Sequence, residues 1–230
     1  MADMGPVYGA GRARLSELVL HLDEEQARAA VPTCPQWRVR DVIAHLTGIC
    51  ADILAGNLEG VTTDPWTEAQ VDQRKERTMG ELVAEWSEVA PQVEAMAQYF
   101  PDRVDEQWVA DLTTHEHDVR TAVGCPGARD SQGIDISLDF FVTMGLHSSV
   151  TAGGLPPLRV RAAGKEWTAG GNGESPPDEL AAAPFELFRA LTGRRSSAQI
   201  RRYDWTCDPE PYLPAFDYGP FTKSPTDIEE

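Results

Sequence analysis

Apolar residues recur every three or four positions through the first two thirds of the chain, which is the spacing of helices with one buried face. The clearest stripe consists of Val39, Val42, Ile43, Leu46 and Ile49. This period predicts five main helices, at about residues 8–21, 37–57, 67–99, 106–123 and 137–149. Two prolines within residues 31–35 predict a loop before the second helix. Helices joined by modest loops are typical of an up-and-down bundle.

The pattern changes near residue 152, where glycine and proline become frequent and the apolar runs become short. Four short elements are predicted beyond it, namely strands at 158–161 and 165–168, a helix at 184–191 and a third strand at 198–203. From Asp204 onward, five prolines and an acidic end predict a tail that wraps on the surface or is partly disordered. We therefore predict an α+β protein with a helical bundle at residues 1–152 and a small α/β domain at 153–230.

The chain is strongly acidic, with 20 lysines and arginines against 37 aspartates and glutamates among its 230 residues. Binding along a nucleic-acid backbone or on an anionic membrane needs a basic face, so we expect neither partner. The sequence contains no apolar run long enough to span a membrane, no signal-peptide pattern, and no CxxC pair among its four cysteines. We therefore expect a cytoplasmic protein with reduced thiols that is a monomer or a homodimer.

Among the five histidines, two fall on the apolar faces of predicted helices. His45 lies between Val42 and Ile49 in the second helix, and His115 lies in the fourth. Asp111 precedes His115 by four residues, so its carboxylate and this imidazole project from the same face of the helix. Two imidazoles and one carboxylate form a metal-ligand set that leaves positions open for water or substrate. The spacing alone favours the other interpretation, core histidines satisfied by hydrogen bonds, because an aspartate near such a histidine is more often a polar partner than a ligand.

Residues 36–48, with Trp37, Asp41, His45, Leu46 and Gly48, resemble the metal-binding domain of the mycothiol-dependent maleylpyruvate isomerase family, one of the DinB-like helical bundles. Residues 111–124 match a second motif of that family, in which an acid precedes a histidine by four residues. The resemblance implies that His45, Asp111 and His115 are metal ligands. The acid in the family is usually glutamate, whereas this chain has the shorter aspartate.

The C-terminal part is more loosely similar to the small sterol-carrier-like α/β domain that follows the bundle in these proteins. Its best match is the segment 188–194, an apolar helix that ends in Leu-x-Gly-Arg. The resemblance implies that Arg194 binds the thiol cofactor. For the neighbouring Arg195, Arg201 and Arg202, a solvated surface is at least as well supported by the sequence as the binding of a carboxylate or cofactor.

The resemblance implies an enzyme that holds a divalent metal, with zinc as the expected ion and other divalent ions as alternatives. It would use a low-molecular-weight thiol such as mycothiol to isomerise a small electrophilic substrate or to transfer the thiol to it. The alternative is a bundle that binds metal or small molecules without turnover, in a stress or regulatory role. No general base can be assigned, and His117 and Glu116 are candidates by proximity only.

Three further residues near these motifs have structural interpretations. We expect Trp37 to be a core residue that opens the second helix. We expect Asp41 to be an acid favoured by the helix dipole in the first turn, with orientation of the His45 ring as the alternative. We expect His147 to be a core histidine satisfied by a hydrogen bond.

Overall fold

The computed structural model describes residues 3–171, 173 and 175–230. The chain forms two compact units, Met1–Gly127 and Ala128–Glu230. The first is mainly helical and the second combines helices with a small sheet, so the predicted α+β class is confirmed. Among the described residues, no helix has the length and apolar character needed to cross a membrane.

Among its described residues, the first unit contains six α-helices, one short hairpin and a 3-10 helix at Ala97–Tyr99. The α-helices and strands are α1 (Met4–Leu20), α2 (Glu24–Ala27), β1 (Ala30–Val31), β2 (Cys34–Arg38), α3 (Val39–Ala55), α4 (Asp64–Asp72), α5 (Met79–Met96) and α6 (Val104–Ala122). Helix α3 packs against α4, α5 and α6, and α1 packs against α5 and α6. The predicted apolar stripe of α3 lies in this core, where Ile43 and Leu46 are fully buried beside Trp86 and Leu112.

The structure corrects two predictions in this unit. The single helix predicted at 67–99 is two helices, because Thr78 and Glu81 form a capping box that starts α5 afresh. The loop predicted at 31–35 is part of the antiparallel hairpin β1–β2, and Trp37 lies in its second strand rather than at a helix start. Both strands of a two-stranded hairpin are edge strands, in which a proline such as Pro35 is tolerated.

The second unit begins with a long helical segment and continues into a four-stranded sheet. Its elements are α7 (Gln132–Phe140), a π-helical turn (Phe141–Leu146), α8 (His147–Ala152), β3 (Leu158–Ala162), β4 (Lys165–Ala169), β5 (Asp178–Ala181), α9 (Pro184–Leu191), α10 (Ser197–Arg201) and β6 (Asp204–Trp205). The strand order is β4-β3-β5-β6. Strands β3 and β5 are parallel, and the other two pairs are antiparallel. The strands predicted at 158–161 and 165–168 are confirmed as β3 and β4, which pair as an antiparallel hairpin.

The sequence and the structure differ on where the second unit starts and on how it ends. The helix predicted at 137–149 as part of the bundle corresponds to α7, the π-helical turn and α8, which pack against α9 and β4. The compact units accordingly divide after Gly127, whereas the composition change predicts a boundary after residue 152. The tail beyond Asp204 is not confined to the surface, because Tyr212 and Phe216 are buried.

The prediction of a strand at residues 198–203 is wrong. The chain is helical at Ser197–Arg201, because Ser196 and Gln199 form a capping box. A short strand follows only at Asp204–Trp205.

Candidate metal centre

Helices α3 and α6 bring the three predicted ligands together. His45 Nε2 lies 3.7 Å from Asp111 Oδ2, and His115 Nε2 lies 3.7 Å from Asp111 Oδ1. The two imidazole centroids are 5.3 Å apart, with the rings nearly perpendicular. One donor atom from each of the three residues lies within 4.8 Å of the others. Both histidines are buried and the Asp111 side chain is about one third exposed, so the group faces the bundle with one accessible side.

A glutamine from α4 fixes the orientation of the first imidazole. Gln70 is buried, and its Oε1 lies 2.8 Å from His45 Nδ1. The Nε2 of Gln70 donates to Asp52 Oδ2 at 2.8 Å, so the amide oxygen is the atom that faces the histidine. His45 therefore donates from Nδ1, and its Nε2 lone pair points toward Asp111. Gln70 could not be identified from the sequence, because it lies on a different helix from His45 and the apolar period of one helix does not relate the two residues.

The glycine of the motif after His45 makes this contact possible. A Cβ atom on Gly48 would lie 2.5 Å from Cβ and 2.7 Å from Cγ of Gln70. Any larger residue would therefore push Gln70 and helix α4 away from His45. The requirement for glycine at this position is one of close approach rather than of backbone conformation.

A buried carboxylate orients the second imidazole. Asp118 Oδ2 lies 3.2 Å from His115 Nδ1, and the Asp118 side chain is fully buried. The contact does not have hydrogen-bond geometry, but a negative charge beside Nδ1 favours the tautomer with the proton on that atom, which leaves the Nε2 lone pair on the side of Asp111. Cys34 of the hairpin donates its thiol to the same Asp118 oxygen at 3.8 Å.

Cys34, His115 and Asp118 form a second potential donor group that overlaps the first. The two groups use opposite nitrogens of His115. Because a neutral imidazole presents one lone pair, it serves one group at a time. The contact between Asp118 and Nδ1 favours the group of His45, Asp111 and His115.

Trp37 covers the two histidines. Its ring centroid lies 4.9 Å from that of His45 and 5.6 Å from that of His115. The side chain is half-buried, so it separates the imidazoles from solvent on one side while part of its own surface stays exposed. Trp37 is therefore a wall of the candidate site rather than the core residue predicted from the sequence.

The remaining candidates in this unit have structural roles. Asp41 accepts from the backbone N–H of Arg38 at 2.9 Å, which confirms the first-turn interpretation. Glu116 is fully buried and accepts hydrogen bonds from Arg14 and Arg120 at 2.7–3.2 Å, so it is held in ion pairs. His117 is buried, and it belongs to neither donor group found within the described part of the chain.

Arg194 and His147 lie in the second unit. The guanidinium of Arg194 is buried, donates to the Thr192 carbonyl and lies 5.9 Å from the centroid of the Phe221 ring. Its binding of a thiol cofactor stays a prediction. His147 accepts from the Gly170 N–H at 3.1 Å through Nδ1, which confirms the predicted hydrogen bond, but the residue is half-buried rather than part of the core.

The donor set of the first unit fits a divalent cation. Two imidazole nitrogens and one carboxylate oxygen are a known ligand combination for catalytic zinc, which keeps a further position open. Separations of 3.7 Å are too long for hydrogen bonds. They are close to the roughly 3.4 Å between donors that surround a cation tetrahedrally at bond lengths of about 2.1 Å. The two histidine–carboxylate separations are therefore compatible with a shared cation.

Comparison with known proteins identifies a family for the first unit. Residues 8–127, just over half of the chain, match the family model described as "Mycothiol maleylpyruvate isomerase N-terminal domain". The matched segment contains His45, Asp111 and His115. No curated protein and no solved structure matches the chain.

Proposed function

The chain belongs to the mycothiol maleylpyruvate isomerase N-terminal domain family, and from that premise we propose that it is a metal-dependent enzyme that uses a low-molecular-weight thiol. The thiol would be mycothiol, and its partner a small electrophile that is either isomerised or joined to the thiol. The proposal includes a DinB-like bundle as the metal-binding scaffold. The arrangement of His45, Asp111 and His115 is the observation that carries it.

The three residues would hold the metal through the Nε2 atoms of both histidines and the Asp111 carboxylate. Zinc is the ion proposed, because it accepts nitrogen and oxygen ligands and tolerates an open position. When bound, a dication deprotonates a coordinated thiol that would be largely protonated on its own near neutral pH.

The surrounding residues prepare the donors for this role. Gln70 is hydrogen-bonded to Nδ1 of His45, and the Asp118 carboxylate lies 3.2 Å from Nδ1 of His115, so both contacts favour the ring orientations that a metal needs. Trp37 covers both rings and limits the approach of water from its side. The exposed third of the Asp111 side chain marks the side from which a thiol and an electrophile would approach.

The proposal is tested by turnover with mycothiol. Maleylpyruvate would be supplied to detect isomerisation, and chlorodinitrobenzene to detect thiol transfer. We expect one of these reactions to proceed with zinc-loaded protein, to stop after chelation and to be lost in His115→Ala. His21→Ala is the matched control, because His21 is exposed and its ring Nδ1 bonds to the Glu17 carbonyl, within its own helix. Full metal content without turnover of either pair would favour the non-catalytic alternative.

A further inference from the structure

The second unit buries two arginine side chains next to each other. Arg189 on α9 is 0% exposed and Arg195, which follows that helix, is 2% exposed. Of the two interpretations that the sequence leaves open for Arg195, the solvated surface is wrong. Removing a guanidinium from water is costly unless it is paired and fully hydrogen-bonded. The pair therefore needs a buried anion.

That anion is the side chain of Glu230. Arg189 Nε lies 3.1 and 3.0 Å from the two Glu230 oxygens, and Arg195 Nη1 lies 2.8 Å from Oε2. The Glu230 side chain is only 4% exposed. Arg195 also donates to Glu186, whose side chain is 38% exposed. One carboxylate is thus seated in a fork made by two guanidiniums.

The segment that delivers Glu230 has little apolar anchorage. Residues 225–227 and Glu229 are exposed, and Ile228 is half-buried. Polar contacts hold the segment in place. Gln199 bonds to the backbone of Ile228 at 2.9 and 3.2 Å, and Arg202 pairs with Asp227 at 2.9 Å. Each such contact exchanges readily with water, so the segment can detach without exposing an apolar core.

We propose that the fork of Arg189 and Arg195 is a binding site for the carboxylate of a small molecule, which Glu230 occupies as a tethered competitor. Paired guanidiniums match the planar geometry of a carboxylate better than they match a spherical anion. Arginine remains charged when its counter-ion leaves, so withdrawal of Glu230 makes the fork a strong anion site. The proposal rests on the second unit alone and is independent of the metal centre.

Isothermal titration calorimetry with glutarate, whose carboxylate resembles that of a glutamate side chain, tests the proposal at constant ionic strength. We expect Glu230→Ala to bind glutarate about tenfold more tightly than the unsubstituted protein, because a tethered competitor acts at millimolar effective concentration. Glu229→Ala is the matched control, since it removes an adjacent exposed carboxylate, and its affinity should equal that of the unsubstituted protein. Adding Arg189→Gln to Glu230→Ala should abolish binding.

A folded Glu230→Ala protein that binds no glutarate, or binds it no more tightly than Glu229→Ala, would overturn the proposal. If Glu230→Ala fails to fold, hydrogen exchange of the unsubstituted protein decides the question. Glutarate at tens of millimolar should then speed amide exchange in residues 224–230, whereas sodium chloride of equal ionic strength should not. Unchanged exchange in that segment would mean that the fork is a structural ion pair, and the proposal would be wrong.

Discussion

The two units of this protein each bury a polar cluster, and the clusters differ in how their charges are balanced. In the second unit, Arg189 and Arg195 contact the Glu230 carboxylate at 2.5–3.1 Å. In the first unit, the Asp111 carboxylate stands 3.7 Å from both His45 Nε2 and His115 Nε2. The arginine cluster carries its own counter-ion within hydrogen-bond distance, whereas the histidine cluster keeps its donors at the spacing of ligands around a cation.

The contact distances within a buried polar cluster therefore help to distinguish a structural cluster from a metal centre. In the bundle, one nitrogen of each histidine lies next to a partner outside the cluster, Gln70 for His45 and Asp118 for His115, and the other nitrogen faces inward. A cluster that served only to satisfy its own members would close those inward contacts to about 2.8–3.0 Å. Burial alone does not distinguish the two cases, because both clusters are buried.

The largest expected effect is the loss of metal when a histidine ligand is removed. We expect one divalent ion per chain, and we expect His45→Ala or His115→Ala to abolish its binding, because two remaining protein ligands rarely hold a dication. Metal content measured by mass spectrometry of purified protein checks this. His117→Ala is the control and should leave the content nearly unchanged. Equal metal loss in the control, or full occupancy in both ligand variants, would contradict the ligand set.

The next effect concerns the acid. Aspartate reaches about 1.5 Å less far than glutamate, roughly one C–C bond. Asp111 nevertheless lies equally close to both imidazoles. We expect Asp111→Ala to weaken metal affinity strongly, and Asp111→Glu to retain part of it. Competition with a chromophoric chelator measures both variants. An affinity of Asp111→Ala equal to that of the unsubstituted protein would show that the carboxylate is not a ligand.

A smaller effect is expected from the residues that orient the imidazoles. Gln70→Ala and Asp118→Asn should each lower metal affinity about 10- to 100-fold without changing the stoichiometry. Gly48→Ala should act in the same direction, because its added Cβ would displace Gln70. Gly80→Ala is a matched control, since a Cβ there meets no atom within 4 Å. The same chelator competition applies, and unchanged affinity in Gln70→Ala would remove its orienting role.

The smallest effect on the metal centre is expected for substitution of Cys50, because its buried thiol is neutral and needs no counter-ion. Burial raises the pKa of Cys50 from 9.0 to about 11. The folded state therefore favours the neutral thiol. The stabilisation that this preference gives is complete below pH 9 and is lost as the pH rises through 11. We expect Cys50→Ala to leave metal content unchanged and to reduce the alkaline fall in the free energy of unfolding, measured by denaturant titration at several pH values. An identical fall in both proteins would contradict this assignment.

The sequence predicts the parts of the molecule that depend on local periodicity. The apolar stripes place His45 on α3 and both Asp111 and His115 on α6, and the structure brings these three side chains together. The neighbours that complete the site come from other elements. Gln70 lies on α4 and Trp37 on the hairpin, and their positions follow from packing between elements, which the period of a single helix does not encode.

The same reason accounts for the errors elsewhere in the chain. Helix α7 has the period of a bundle helix, but it packs against α9 in the second unit. The alternation at residues 198–203 resembles a strand, yet the capping box of Ser196 and Gln199 starts a helix there. The burial of Glu230 by arginines from two positions near α9 also depends on tertiary contacts, which the composition of an acidic tail does not reveal.

Anomalous diffraction at the zinc edge from crystals of the zinc-loaded protein tests the central claim most directly. We expect one strong peak within bonding distance of His45 Nε2, His115 Nε2 and the Asp111 carboxylate. A peak beside Cys34 and Asp118, on the other nitrogen of His115, would assign the metal to the second donor group. That result, or an Asp111 carboxylate turned to solvent beside a bound metal, would contradict the ligand set and the thiol chemistry that rests on it.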